Sequence, residues 1–141
     1  MAIKYVQVAA TPGALSDVEA DVAALPVLAY GTYTPTVSGV SNVATAFASQ
    51  CQWMRIGNIV TVSGALQMNP TLSTTSTEIS ISLPVASTFT DSAQCAGAGA
   101  FLYFTAGAAL VIGVGALAHL LFTSQSTAQH TVWFTFTYQI L

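Results

Sequence analysis

In the final stretch of the chain, Val132, Phe134, Phe136, Tyr138 and Ile140 alternate with Thr131, Trp133, Thr135, Thr137 and Gln139. A repeat of two sends successive side chains to opposite faces of a strand, so this segment can bury one face as β structure but not as a helix. The same alternation runs through Glu78-Ile79-Ser80-Ile81-Ser82-Leu83 up to Pro84, with Ile79, Ile81 and Leu83 facing inward. Between Gln50 and Met68 two strand-like runs flank Gly57-Asn58, the signature of a type II′ hairpin in which Gly supplies the positive φ. In the return strand Val60, Val62, Leu66 and Met68 share one face, Thr61, Ser63 and Gln67 share the other, and Gly64 is expected to form a bulge. Thr32, Thr34 and Thr36 alternate with Tyr33, Pro35 and Val37, and Pro35 indicates an edge or a strand start because it cannot donate to a ladder. Further short strands are expected at 101–105, 108–113 and 117–123, with glycines at the bends between them. About eight such runs separated by turn signals predict an all-β fold, a jelly-roll-like antiparallel β-sandwich over residues 30–141.

Residues 1–29 read differently. The first ten form an extended apolar-polar strip around Ile3, Tyr5, Val6 and Val8, and Thr11-Pro12-Gly13 then makes a turn. Ser16-Asp17-Val18-Glu19 is a capping-box pattern, Val18, Val22 and Leu25 fall on one helical face, and Pro26 ends the run. This predicts an N-terminal arm followed by a short helix. So short a helix is unstable in isolation and must dock its apolar stripe on the body, a sister subunit or another protein.

Charge narrows the function. The 141 residues include two Lys/Arg and five Asp/Glu, and Lys4, Asp17, Glu19 and Asp21 all precede the predicted β-domain. Soluble domains of this size carry roughly a quarter charged residues, partly to keep molecules apart. A body with only Arg55, Glu78 and Asp91 is suited to lasting contact with its neighbours. Lys4 and Arg55, the only cations, cannot supply the several phosphate contacts on which nucleic-acid binding depends.

Residues 96–122 carry no charge and are long enough to span a bilayer, yet five glycines and His119 interrupt them and no Lys/Arg flanks them. Strands are the better reading, with no membrane span. Cys51 and Cys95 lie in apolar surroundings without metal-ligand spacing; buried free thiols are the favoured reading, and a disulfide is the alternative if their strands adjoin. No nucleophile elbow is present, and His119 and His130 fall on strand patterns where a structural role is the usual one. They lack metal-ligand spacing as well. Glu78 and Asp91 are the only carboxylate pair available for sugar hydrolysis, and capping and solvation account for both. No catalytic, cofactor or metal residue is therefore assigned. Arg55 is a candidate for an inter-subunit pair with Glu78 or Asp91, weighed against a solvated residue that discourages edge pairing. Trp53, Trp133, Tyr30 and Tyr33 could stack glycans, but aromatics at strand spacing more often fill a core or a subunit interface.

Four stretches taken together, 31–36, 50–64, 79–87 and 133–138, resemble a small β-domain recurrent in tailed-bacteriophage virion proteins. The resemblance covers roughly residues 30–141. It implies a non-enzymatic virion structural protein, typically trimeric, placed at tail-fibre ends or on head surfaces. Opening at Met1 with only an arm and a short helix upstream favours a stand-alone capsid decoration or cement protein. The expectation is thus a homotrimer assembled in the host cytoplasm on the outer capsid surface, its partner the major capsid protein. The arm, through Ile3, Tyr5, Val6 and Val8, would reach a sister subunit or the shell. The alternative is a tail-fibre or receptor-binding module that recognises host surface glycans.

Overall fold

The computed structural model describes residues 27–102 and 107–141. The arm residues Ile3, Tyr5, Val6 and Val8 and the predicted helix lie outside the described residues. Ten strands are present among those described: β1 (Leu28–Tyr33), β2 (Val37–Ser41), β3 (Val43–Ala48), β4 (Cys51–Ile56), β5 (Ile59–Pro70), β6 (Ser76–Ser82), β7 (Cys95–Phe101), β8 (Ala108–Val114), β9 (Leu117–Thr123) and β10 (His130–Gln139). All pairings are antiparallel and join one curled sheet in the order β1-β4-β5-β10-β7-β8-β9-β6-β2, with β3 also paired to β5. The all-β antiparallel class expected from the alternation is observed, with ten strands where about eight were counted.

The curl has a simple origin. β5 is twelve residues long; β10 covers one of its edges along nearly the whole length, while β3 and then β4 share the other. β2 sits at the far end of the sheet on β6 and is joined to β3 through Asn42, whose φ of 57° turns the chain sharply. One residue thereby links the sheet's last strand to a neighbour of β5. The inward faces of the strands enclose a single core that includes Val60, Val62, Leu66, Met68, Ile79, Ile81, Leu120, Val132, Phe136 and Tyr138. Burying a side chain of this kind contributes about 1.5–3 kcal/mol. Phe89 and Val85, from the segment between β6 and β7, close one end: Phe89 meets the Tyr138 ring edge-on at 5.8 Å, and the Tyr138 hydroxyl donates to the Val85 carbonyl at 2.7 Å.

The Gly57-Asn58 hairpin forms as expected, with Ile56 opposite Ile59 and a φ of 63° at Gly57. The bulge expected at Gly64 does not. β5 keeps an unbroken register with β10 through the Gly64–Phe134 pair. The extra residue lies on the facing side: between Ala48, opposite Leu66, and Gln52, opposite Ser63, the β3–β4 side spends three residues against two in β5. Gly64 is needed for another reason, because a Cβ there would overlap the Cys51 sulfur.

The strand expected at 101–105 is also displaced. β7 ends at Phe101 and occupies Cys95–Phe101, where alanines face out and Gly97 and Gly99 face in beneath β10. Residues 103–105 of that expectation lie outside the described residues. No described helix is long and apolar enough to cross a membrane, and the uncharged 96–122 stretch supplies β7, β8 and most of β9.

Candidate interaction surfaces

Pairing across the sheet sorts the candidate residues by face. One outward row runs Tyr30–Met54–Thr61–Thr137–Ala96–Ile112–His119–Ser80–Ser38 through eight successive register pairs. The next inward row carries Trp53, Val62 and Phe136. Trp53 packs against the core, as its strand spacing suggested, and Tyr33 lies on the same inward side with its hydroxyl donating to the Ser82 carbonyl at 3.2 Å. Burial, followed by the neighbouring Cys51 and Tyr138, raises the Tyr33 pKa. Trp133 and Tyr30 point outward, 49% and 81% exposed. The four aromatics therefore do not form one platform: two are inside, and the outward two stand on β10 and β1 with β4 and β5 between them.

Three charged residues fall among the described residues, and each has a local role. Arg55 donates from Nε to the Gly57 carbonyl at 2.6 Å, clasping its own hairpin turn. Asp91 caps the 3-10 turn Ser92–Gln94 through Oδ1 and the Ala93 N–H, and the Gln94 side chain returns to the Asp91 N–H. Glu78 is not a solvated strand-start residue. Its Oε1 lies 2.5 Å from Nδ1 of His119, which is 8% exposed although it belongs to the outward face. Of the two carboxylates expected as inter-subunit partners for Arg55, Glu78 already meets His119 and Asp91 caps its own turn.

The outward rows around that pair are aliphatic. Leu110, Leu121 and Glu78 form one; Ile112, His119 and Ser80 the next; Val114, Leu117 and Ser82 the third. Leu110 is 57% exposed, and Val114 and Leu117 are also open to solvent. A second apolar patch lies at the β1 edge, where Leu28, Ile56 and Ile59 line up beside Tyr30 and Met54. On the β8–β9 face the exposed aliphatics are Leu110, Val114 and Leu117, with the Glu78–His119 pair, Ser80 and Ser82 among them.

His130 is buried and reaches Ser126 through Nε2, within 3.2 Å of both the hydroxyl and the carbonyl oxygen. Cys51 and Cys95 are buried free thiols. Burial raises both thiol pKa values, that of Cys95 to about 12. No group of three or more His, Cys, Asp or Glu side chains placed to hold a metal ion occurs among the described residues. The Glu78–His119 contact was missed in the sequence because it depends on β6 pairing with β9, some forty residues apart. Alternation had set Glu78 opposite the inward Ile79, Ile81 and Leu83, whereas His119 had been given a strand but no face. Comparison of the chain with family models, curated proteins and solved structures finds no match.

Proposed function

We propose that this chain is a non-enzymatic virion structural protein: a homotrimeric capsid decoration or cement protein, built as a jelly-roll-like β-sandwich, that stabilises a phage head by binding major capsid subunits. The observation that carries the reading is the aliphatic outward face of β8 and β9, where Leu110, Ile112, Val114 and Leu117 surround a histidine whose polarity is satisfied internally by Glu78. A lone protomer would leave that face in water. Its burial between subunits gives about 25 cal/mol per Å² of apolar surface, and with so few charges little electrostatic repulsion opposes it. The arm around Ile3, Tyr5, Val6 and Val8 then adds contacts to a sister subunit or the shell, and three arms on one trimer bind with avidity even when each is weak.

Two measurements test this. Sedimentation of the purified chain is expected to show a trimer that Leu110→Glu and Leu117→Glu dissociate; a wild-type monomer at high concentration refutes the subunit interface. Removal of residues 1–10 is expected to leave the trimer folded while abolishing capture by capsids. Undiminished capture by the shortened protein refutes the arm. The alternative, a receptor-binding module on a tail fibre, draws support from the outward Trp133 and predicts a few copies per particle rather than a complement set by head symmetry.

A further inference from the structure

We propose that the apolar patch on the outward side of β1, β4 and β5 is the docking surface for the helix expected at residues 16–25 of the same protomer. This goes beyond the assembly proposed above and does not depend on it. Leu28, Tyr30, Met54, Ile56 and Ile59 stand in two adjacent outward rows, Leu28–Ile56–Ile59 and Tyr30–Met54, and each is between 43% and 81% exposed. Neither row carries a charge across these three strands. An uncharged aliphatic and aromatic cluster of this kind gains from being covered.

The occupant follows from where the chain enters the sheet. The Gly57 N–H donates to the Val27 carbonyl at 2.7 Å, so the segment ending at Pro26 arrives beside the β4–β5 hairpin, at the patch itself. Leu25 precedes Leu28 by three residues and lies within about 11 Å of it even at full extension. So short a tether holds the stripe of Val18, Val22 and Leu25 against the patch at an effective concentration on the order of 1 mM, whereas a sister subunit must first be brought there. The aliphatic face of β8 is out of its reach, with β10 and β7 in between. The dimensions agree as well: Val18 to Leu25 covers about 10 Å of helix, and the outer two of three adjacent strands stand about 10 Å apart. Each surface supplies what the other lacks, because a helix of this length does not hold in water without an apolar partner.

The test uses the full chain in two measurements. In hydrogen exchange the amides of residues 20–25 are expected to exchange at least about tenfold more slowly than in the free peptide 14–27, and to return to the peptide's rates when Met54→Glu and Ile56→Glu are combined. In disulfide trapping, Val22→Cys with Met54→Cys joins the middle of the stripe to the middle strand of the patch. Oxidation within one chain is expected to be about tenfold faster than for Ala20→Cys with Met54→Cys, since Ala20 lies on the opposite side of the helix. Cys51 and Cys95 are buried, and the unmodified chain serves as the blank. Mass spectrometry of mixed ¹⁵N-labelled and unlabelled chains separates links within a chain from links between chains. Exchange as fast as in the peptide overturns the proposal, and so does protection that survives the paired glutamates, because the helix then docks elsewhere. Equal trapping rates overturn it too, as does a link formed mainly between chains, which places the helix on a sister subunit. Trapping decides the matter even where the paired glutamates unfold the body, an outcome that lost exchange protection in β10 would reveal.

Discussion

Glu78 and His119 lie diagonally across the β6–β9 pairing, and their side chains meet at 2.5 Å on an outward face that also carries Leu110, Ile112, Val114 and Leu117. The contact pairs one polar atom of each side chain, which lowers the cost of covering them relative to leaving both unpaired. Replacing Glu78 by Gln keeps the shape and removes the charge. The variant is expected to lose about 1–3 kcal/mol in urea unfolding, and a double-mutant cycle with His119→Gln is expected to give a coupling of the same sign. Two strictly additive single variants would show that the contact contributes nothing.

Alkaline pH should unfold the protein. Burial raises Cys95 from 9.0 to about 12 and, against an opposing hydrogen bond from Val85, raises Tyr138 from 10.0 to about 12. Both groups hold their protons more tightly folded than unfolded, so the unfolded chain ionises first as pH climbs. The stability linked to them is complete below pH 9 and is lost between pH 9 and about 12, at up to about 1.4 kcal/mol per pH unit for each proton released. Melting followed by circular dichroism across that interval is expected to show a falling midpoint, with a shallower fall in Cys95→Ala. A flat profile to pH 11 contradicts it.

Asn42 joins two functions in one residue. Its backbone takes the left-handed conformation, and its side chain bonds to the Leu72 carbonyl and N–H and to the hydroxyls of Thr71, Thr77 and Ser124. Asn42→Gly keeps the backbone and loses the bonds, whereas Asn42→Ala loses both. Alanine is expected to be the worse by about 1 kcal/mol, read as the difference between the two urea midpoints. Equal midpoints would assign the whole effect to the side chain.

Gly64→Ala sets a methyl group against Cys51. A loss of about 1–3 kcal/mol is expected from overpacking, and Cys51→Ala in the same chain is expected to recover part of it, because removing the sulfur takes away the closest approach and leaves those of the residue-51 Cβ at 2.9 Å and Cα at 3.3 Å. No recovery would locate the strain elsewhere.

Alternation made β5, β6 and β10 legible at once, because each sets an apolar face against the core and carries mostly polar residues on the other, and the Gly57-Asn58 turn stated its own geometry. β7 was misplaced for the same reason: Ala-Gly-Ala-Gly-Ala has no contrast between its faces, and its inward positions are glycines lying under the aromatic residues of β10, so the repeat looked like a series of bends. The Gly64 bulge was assigned to the wrong strand because glycine marks close approach as well as irregular backbone, and only the partner strand tells the two apart. Trp133 was visible as an outward aromatic in the alternation.

The position of β10 governs the order in which the fold can be completed. Strands β1 to β5 and β6 to β9 precede it in the chain, yet it alone fills the gap between β5 and β7. During synthesis those two portions wait with bare backbone edges facing each other until their common neighbour emerges, and slow long-range pairing of this kind leaves the growing chain vulnerable to mispairing with other copies. With so few charges to keep copies of the chain apart, that interval is a hazard for the unfinished protein, and a brisk final zipping step becomes a requirement of the design.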